Sequence, residues 1–211
     1  MGPDFSFEKA IEGIVCGIDE VGRGPLAGPV VAAAVVLPRK LHPTLERHLN
    51  DSKKVAPARR EELFHILQDC ARIGLGRAEV AEIDAINILQ ATFLAMRRAY
   101  KAIGAADHAL VDGNRKPSLS CPITCIVKGD SRSFSIAAAS IIAKVTRDRE
   151  MAILAETHPF YGWERNAGYG TAEHLQALQR LGVTVHHRRS FAPIAALLVE
   201  PELRLVETVS E

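Results

Sequence analysis

The sequence predicts an α/β fold: a mixed sheet flanked by helices, ending in a small C-terminal helical extension. Two observations carry this. The apolar runs "IVCGID" and "VVAAAVVL" are joined by a short link rich in Gly and Pro, which makes them antiparallel neighbours. After them, short strands alternate with amphipathic helices, and strands followed by such alternation give a mixed sheet with helices on its faces.

The elements follow in order. "APARREELFHILQDC" carries Pro early and apolar residues at Leu63, Phe64, Ile66 and Leu67, the pattern of a helix. "RIGLGRAEV" alternates and reads as a third strand. "NILQATFLAMRRAYKAIG" is a strongly amphipathic helix stopped by Gly104. "HALVDG" and "ITCIVKG" are short strands. "SIAAASIIAKVTRDREMAILAETH" is a long helix with a small-residue face at Ala137, Ala138, Ala139, Ser140 and Ala143, suited to close packing on a sheet. "TAEHLQALQRLG" is a further helix with Gly182 as its stop. Residues 1–198 are expected to form one domain that includes the helical extension. Residues 199–211 are expected to form an acidic, flexible tail.

The bulk numbers exclude several classes. The chain has 211 residues, 47% apolar and 24% charged, an ordinary globular composition. No apolar run reaches the ~18 residues of a membrane span. The start lacks a signal-peptide pattern, so a cytoplasmic protein without membrane partners is expected. Cys16, Cys70, Cys121 and Cys125 are then free thiols. Cys121 and Cys125 lack a second ligand pair at zinc spacing. Net charge is +1, but residues 39–60 hold seven Lys/Arg against two acids. "HHRR" at 186–189 is a second basic cluster. Such patches around an acidic centre can hold a polyanion, although a solvated face is the commoner meaning of a charge run.

Four carboxylates raise the chemical question. Asp19 and Glu20 end the first strand, Asp112 ends "HALVD", and Asp130 follows "ITCIVKG" and opens the long helix. If the first, fourth and fifth strands are parallel and adjacent, all four meet at one sheet edge. Packed together, they would raise one another's pKa unless cations neutralise them. All-oxygen ligation suits Mg²⁺ or Mn²⁺, and two such ions serve attack of water on a phosphodiester. Simpler roles compete. Asp130 could cap its helix, with Ser131 and Ser133 as competitors. Asp112 before Gly113 could be a turn residue. Gly22-Arg23-Gly24-Pro25-Leu26-Ala27 also matches a dinucleotide-binding fingerprint, but Pro25, Pro29 and a following strand oppose it.

Several long stretches together resemble bacterial ribonuclease HII, of the type 2 ribonuclease H family: "GIDEVGRGPLAGPVVAAAVVL", "LNDSKK", "INILQATFLAMRRA", "LVDGN", "VKGDSRSFSIAAASIIAKVTRDR", "GYGTAEH" and "HRRSFAP". They run in order from about residue 14 to 194. Val21 stands where Ala is common in the family. The resemblance implies a ribonuclease H-like fold with a mixed five-stranded sheet. It implies an endoribonuclease that cleaves RNA in RNA–DNA hybrids, including 5′ of single ribonucleotides embedded in duplex DNA. The products would be a 3′-OH and a 5′-phosphate, and the role removal of misincorporated ribonucleotides and RNA primers. Asp19, Glu20, Asp112 and Asp130 become the catalytic and metal residues, with two Mg²⁺ or Mn²⁺ ions during catalysis.

The resemblance also implies substrate contacts. Gly22-Arg23-Gly24 matches a loop that senses the 2′-OH, and Tyr169 matches a tyrosine that packs on the junction sugar. Reading RNA against DNA means reading one hydroxyl, and glycines let backbone groups approach it. Lys53 and Lys54 are candidate phosphate contacts or a solvated loop. Arg188 and Arg189 are weaker candidates, and His187 is not needed as a base, since metal activates the water. A monomer acting on hybrids and ribonucleotide-containing duplexes is expected. The competing classes are a non-catalytic hybrid-binding module and another nuclease of the same fold. Intact carboxylates oppose the first; the glycine loop and Tyr169 oppose the second.

Overall fold

The computed structural model describes residues 2–207. Five strands form one sheet in the order β3-β2-β1-β4-β5: β1 Val15–Val21, β2 Val30–Val36, β3 Arg72–Ala78, β4 His108–Asp112 and β5 Ile123–Ile126. β1, β2 and β3 are antiparallel neighbours. β4 runs parallel to β1, and β5 parallel to β4. β1 is therefore the hinge of the mixed sheet, antiparallel on one side and parallel on the other. This is the arrangement needed to bring the ends of β1, β4 and β5 to a common edge.

Eight helices are described: α1 Ser6–Lys9, α2 Pro43–His48, α3 Pro57–Cys70, α4 Val80–Ile103, α5 Phe134–Thr157, α6 Trp163–Asn166, α7 Ala172–Leu181 and α8 Ala192–Glu207. The chain forms two compact units. The first holds the whole sheet, with residues up to Val21, Val30–Ala78 and Thr92–Arg147. Its core joins Ala33 and Val35 of β2 to Leu63, Phe64 and Leu67 of α3 and to Ala137, Ala138, Ile141 and Ile142 of α5. The second holds Gly22–Pro29, Glu79–Ala91 and the chain from Asp148 onward. Its core gathers Leu26, Ala27, Met151, Tyr161, Trp163, Ala177, Leu178 and Ile194.

Small residues let helices touch the sheet backbone to backbone. A Cβ on Gly17 would lie 2.1 Å from the carbonyl carbon of Ser135, at the start of α5. One on Gly76 of β3 would lie 2.1 Å from the Ala95 carbonyl oxygen of α4. The small-residue face expected of the long helix is buried throughout at Ala137, Ala138, Ala139, Ser140 and Ala143.

Element ends follow their capping groups. α4 is two helical pieces meeting at Asn87, whose backbone leaves the helix at φ 66° and ψ 164°. Asn87 Oδ1 accepts from the N–H of Leu89 and Gln90 at 3.0 and 3.1 Å, so the amphipathic helix begins at this cap. α7 is capped by the Thr171 hydroxyl and ends at Gly182, φ 80°. The third strand stops at Ala78, short of the expected Val80, because Glu79 N–H turns to the Glu82 carboxylate at 2.9 Å and α4 begins. The long helix begins at Phe134, not at Asp130, which lies in a 3₁₀ turn over Gly129–Ser131. The expected acidic tail falls in part on the last turns of α8, and residues 208–211 lie outside the described residues. Among the described residues no helix is long and apolar enough to cross a membrane, and the four cysteines are free thiols.

Candidate active site

Strand ends place the acids. The β1–β4 ladder stops at Ile18 opposite Val111, so Asp19 and Asp112 are the next step along two parallel neighbours. The β4–β5 ladder carries Asp112 opposite Ile126. Beyond β5 the chain turns at Lys128, in the left-handed conformation with φ 56°, and delivers Asp130. Asp112 Oδ1 accepts from Gly129 N–H at 2.7 Å. It thus ties the end of β4 to the turn after β5 instead of closing its own turn.

Asp130 has no capping duty. Ser133 Oγ accepts from Ile136 N–H at 3.3 Å, and the Glu8 carboxylate accepts from Ser135 N–H at 2.9 Å. These two groups satisfy the start of α5, and of the residues weighed for the cap it is Ser133 that takes it.

The electrostatics couple the four positions. Asp19 is only 6% exposed. Burial, and then the charges of Glu20, Asp112 and Asp130, hold its carboxyl well above the usual range, against the pull of Glu20 N–H on Oδ1. Asp130 is raised by burial and then by Asp51 and Asp112, while Lys53 and Lys54 draw it down. Asp51 is a fifth acid that the sequence reading passed over; its position just before "SKK" was the available signal. Its Oδ1 accepts from Lys53 N–H at 3.0 Å. The loop is fastened to α5 through Ser52 and Ser140, Oγ to Oγ 2.8 Å. Lys54 Nζ donates to Ser131 Oγ at 2.9 Å, beside Asp130, and both lysines are exposed.

Every acid here offers hard carboxylate oxygens, which suits a divalent ion in chemistry. Among the described residues, no three His, Cys, Asp or Glu side chains are drawn closely enough together to enclose one. One oxygen each of Asp19 and Asp112 is turned instead to a backbone N–H.

The second unit holds the remaining candidates. Gly22 is buried with φ 92°, while Arg23 and Gly24 are exposed. The Tyr169 ring lies beside Gly24, since a Cβ there would stand 3.4 Å from Tyr169 Cε1. Tyr169 is 41% exposed, so its ring is available to a ligand. Arg188 corrects the sequence reading: it is fully buried and its guanidinium is engaged by backbone carbonyls of residues 22–29, so it is no surface phosphate contact. His187 is 1% exposed, which removes it as a general base. Arg189 N–H donates to Asp84 Oδ2 at 3.0 Å.

A sheet of this order, with helices on its faces and carboxylates at the ends of β1 and β4, defines a nuclease-type ribonuclease H-like fold. The structure of ribonuclease H2 from Pyrococcus horikoshii OT3 superposes with a TM-score of 0.70 at 27% identity, covering 87% of this chain and 96% of that one. That of Bst-RNase HIII in complex with Mn²⁺ shares the fold with a TM-score of 0.70 at 20% identity, over 88% and 69% of the two chains. The sequence model of the family Ribonuclease HII matches residues 16–194. Ribonuclease HII of Paramagnetospirillum magneticum is 65% identical over 199 residues, 93% of this chain and 99% of that protein. The chain belongs to the ribonuclease HII family, and it is a hydrolase of the ribonuclease H type.

Proposed function

We propose that the chain is a divalent-metal-dependent endonuclease that hydrolyses the RNA strand of RNA–DNA hybrids and also cuts 5′ of a single ribonucleotide embedded in duplex DNA, leaving a 3′-OH and a 5′-phosphate. The observation that carries the reading is the common edge where burial and the charges of Glu20, Asp112 and Asp130 raise the protonation of Asp19, and burial with Asp51 and Asp112 raises that of Asp130. A fold maintains such repulsion where the charges have work to do. Asp19, Glu20, Asp112 and Asp130 would hold Mg²⁺ or Mn²⁺; the relative from the HIII branch, solved with Mn²⁺, supports the choice of ion. When bound, the ions supply a nucleophile from water at neutral pH and charge stabilisation at the phosphate.

The chain's own residues do the rest. Lys53 and Lys54, exposed on their loop, offer positive charge to the phosphate backbone. The loop Gly22-Arg23-Gly24 presents backbone groups to the 2′-OH, and the Tyr169 ring packs on the following deoxy sugar. A site that hydrogen-bonds a hydroxyl rejects the analogue lacking it, because its own polar groups are then left unpaired, at about 1–3 kcal/mol each.

The test is a nicking assay on three substrates: a duplex with one ribonucleotide, a continuous hybrid and an all-DNA duplex. Cleavage of the first two, on the 5′ side of the ribonucleotide in the first, is expected with Mg²⁺ or Mn²⁺ and not in a chelator or with Ca²⁺. Comparable cutting of the all-DNA duplex, or full activity after exhaustive chelation, would overturn the reading.

A further inference from the structure

The "HHRR" run looks basic and exposed in sequence, yet it forms a spine beneath the Gly22–Gly28 segment. Arg188 N–H donates to Leu26 O at 2.8 Å, and Gly28 N–H donates to His186 O at 2.9 Å. Arg188 is 0% exposed. Its Nη1 donates to Arg23 O at 3.0 Å and its Nε to Gly28 O at 3.0 Å. Its Nη2 donates to Gly22 O, Gly28 O and Pro29 O at 2.5, 2.8 and 3.3 Å. A rigid guanidinium fork thus gathers four carbonyls of one short segment.

Peptide planarity turns this into a statement about donors. In a trans peptide the C=O and the following N–H point in opposite directions. With the carbonyls of Gly22 and Arg23 drawn to Arg188, the N–H groups of Arg23 and Gly24 point away from it. Both residues are exposed, and the buried anchor turns two successive donors away from itself.

Next to Arg188 the histidines hold the tyrosine. His187 Nδ1 accepts from Thr184 N–H at 2.9 Å, so its proton sits on Nε2, which donates to His174 Nε2 at 3.1 Å. His174 Nε2 also accepts from Trp163 Nε1–H at 3.1 Å. The proton of His174 therefore sits on Nδ1, which donates to the Tyr169 carbonyl at 2.9 Å. With both rings neutral, the Trp163 and His187 donors share the single lone pair of His174 Nε2, and His174 Nδ1–H meets the Tyr169 carbonyl. Burial and the neighbouring His174 and His186 push His187 down to about 3, consistent with that state.

We propose that Arg188 and the His187–His174 pair are positioning residues for ribose discrimination, Arg188 by aiming the Arg23 and Gly24 amides outward and His174 by holding the Tyr169 backbone. This rests on the reading that the Gly22–Gly24 loop and Tyr169 contact the sugars. The variants are Arg188→Lys, His174→Gln and His174→Asn. Lysine keeps the charge and loses the fork. Glutamine can replace the Nε2 acceptor, whereas asparagine can replace the Nδ1 donor.

The experiment measures affinity for a single-ribonucleotide duplex and for the all-DNA duplex of the same sequence, in an Asp130→Asn background that does not turn over. Arg188→Lys is expected to lower the ratio of the two affinities about tenfold or more, with all-DNA binding unchanged. His174→Gln should lower it similarly, and His174→Asn should keep it within about threefold of the parent. A merely structural role would weaken both duplexes alike and lower the melting temperature without moving the ratio; that result overturns the proposal. Absence of any preference in the parent overturns the underlying reading of the loop instead. Should Arg188→Lys fail to fold, the His174→Asn against His174→Gln comparison decides: equal ratios overturn the proposal, and a higher ratio for asparagine supports it.

Discussion

At Asp130 the carboxylate is half-buried beside Asp51 and Asp112, and both press its proton affinity upward. The helix that follows is capped by Ser133 and Glu8, so the charge is not used to start it, and Lys53 and Lys54 offset the burial and the two acids only in part. Asp130→Asn is therefore expected to lower turnover by more than about 10²-fold, since even outer partners of metal ligands are worth 10–100-fold. It should also relieve one of the charges that raise Asp19, leaving the melting temperature unchanged or about 1–3 °C higher. Rate and melting curve measured on the same preparation check this. A clear drop in melting temperature with activity retained would assign Asp130 a structural duty. Asp112 contrasts with it, since its Oδ1 also fixes Gly129 N–H at 2.7 Å.

At the scale of elements, contacts without side chains set the packing. β3 and α4 meet at Gly76, where a methyl group would lie 2.1 Å from the Ala95 carbonyl oxygen and 2.3 Å from Ala99 N. Backbone cannot swing aside as a flexible side chain does, so Gly76→Ala should cost about 1–3 kcal/mol or more. The expected loss in melting temperature is about 3–10 °C. β3 is an edge strand of the sheet and carries none of the four acids, so turnover per folded molecule at low temperature should hold. Calorimetry paired with the nicking rate separates the two, and an unchanged melting temperature would mean that α4 yields at this point. The hydrophobic periods showed most of these elements because they are local. The helix starts at Asn87 and Thr171 were readable for the same reason, each cap lying within three residues of the groups it satisfies. The start of α5 was not: Ser133 and Asp130 are both competent caps, and Glu8, 127 residues away from Ser135, completes the choice.

For the whole molecule, two sets of buried groups oppose each other as pH changes. Asp19 and Asp130 are raised above the ordinary 3.8. The folded chain keeps their protons to higher pH than the unfolded chain, so they lower stability as pH rises through that window. His187 is depressed from 6.5 to about 3. Its contribution is complete above about 6.5 and is lost as pH falls toward 3. In a chelator, stability should therefore be greatest at mildly acidic pH. Mg²⁺ or Mn²⁺ should raise the melting temperature at pH 8, because an ion that binds only the folded state stabilises by about 1.4 kcal/mol at ten times its Kd. The rise should be smaller at pH 5, where protons compete for the carboxylates, and absent in Asp112→Asn. Thermal melts at the two pH values check this, and equal shifts in the parent and Asp112→Asn would place the ion elsewhere.

The sequence alone determined the five strands, the helices α3, α4, α5 and α7, and the acids in the last residues of β1 and β4, because alternation and periodicity are properties of neighbouring residues. Asp19-Glu20 after an apolar run stood out for that reason, and the resemblance to ribonuclease HII pointed to the same residues. Only the tertiary structure decided which charges face inward. Arg188 and His187 read as a basic surface in the run "HHRR", yet they are 0% and 1% exposed. Their partners, the carbonyls of residues 22–29 and the imidazole of His174, come from distant parts of the chain. Asp51 likewise became a neighbour of Asp130 only when its loop was tied to α5 through Ser52 and Ser140. Burial of a charge depends on which remote backbone groups can satisfy it, and no local pattern in a sequence records that.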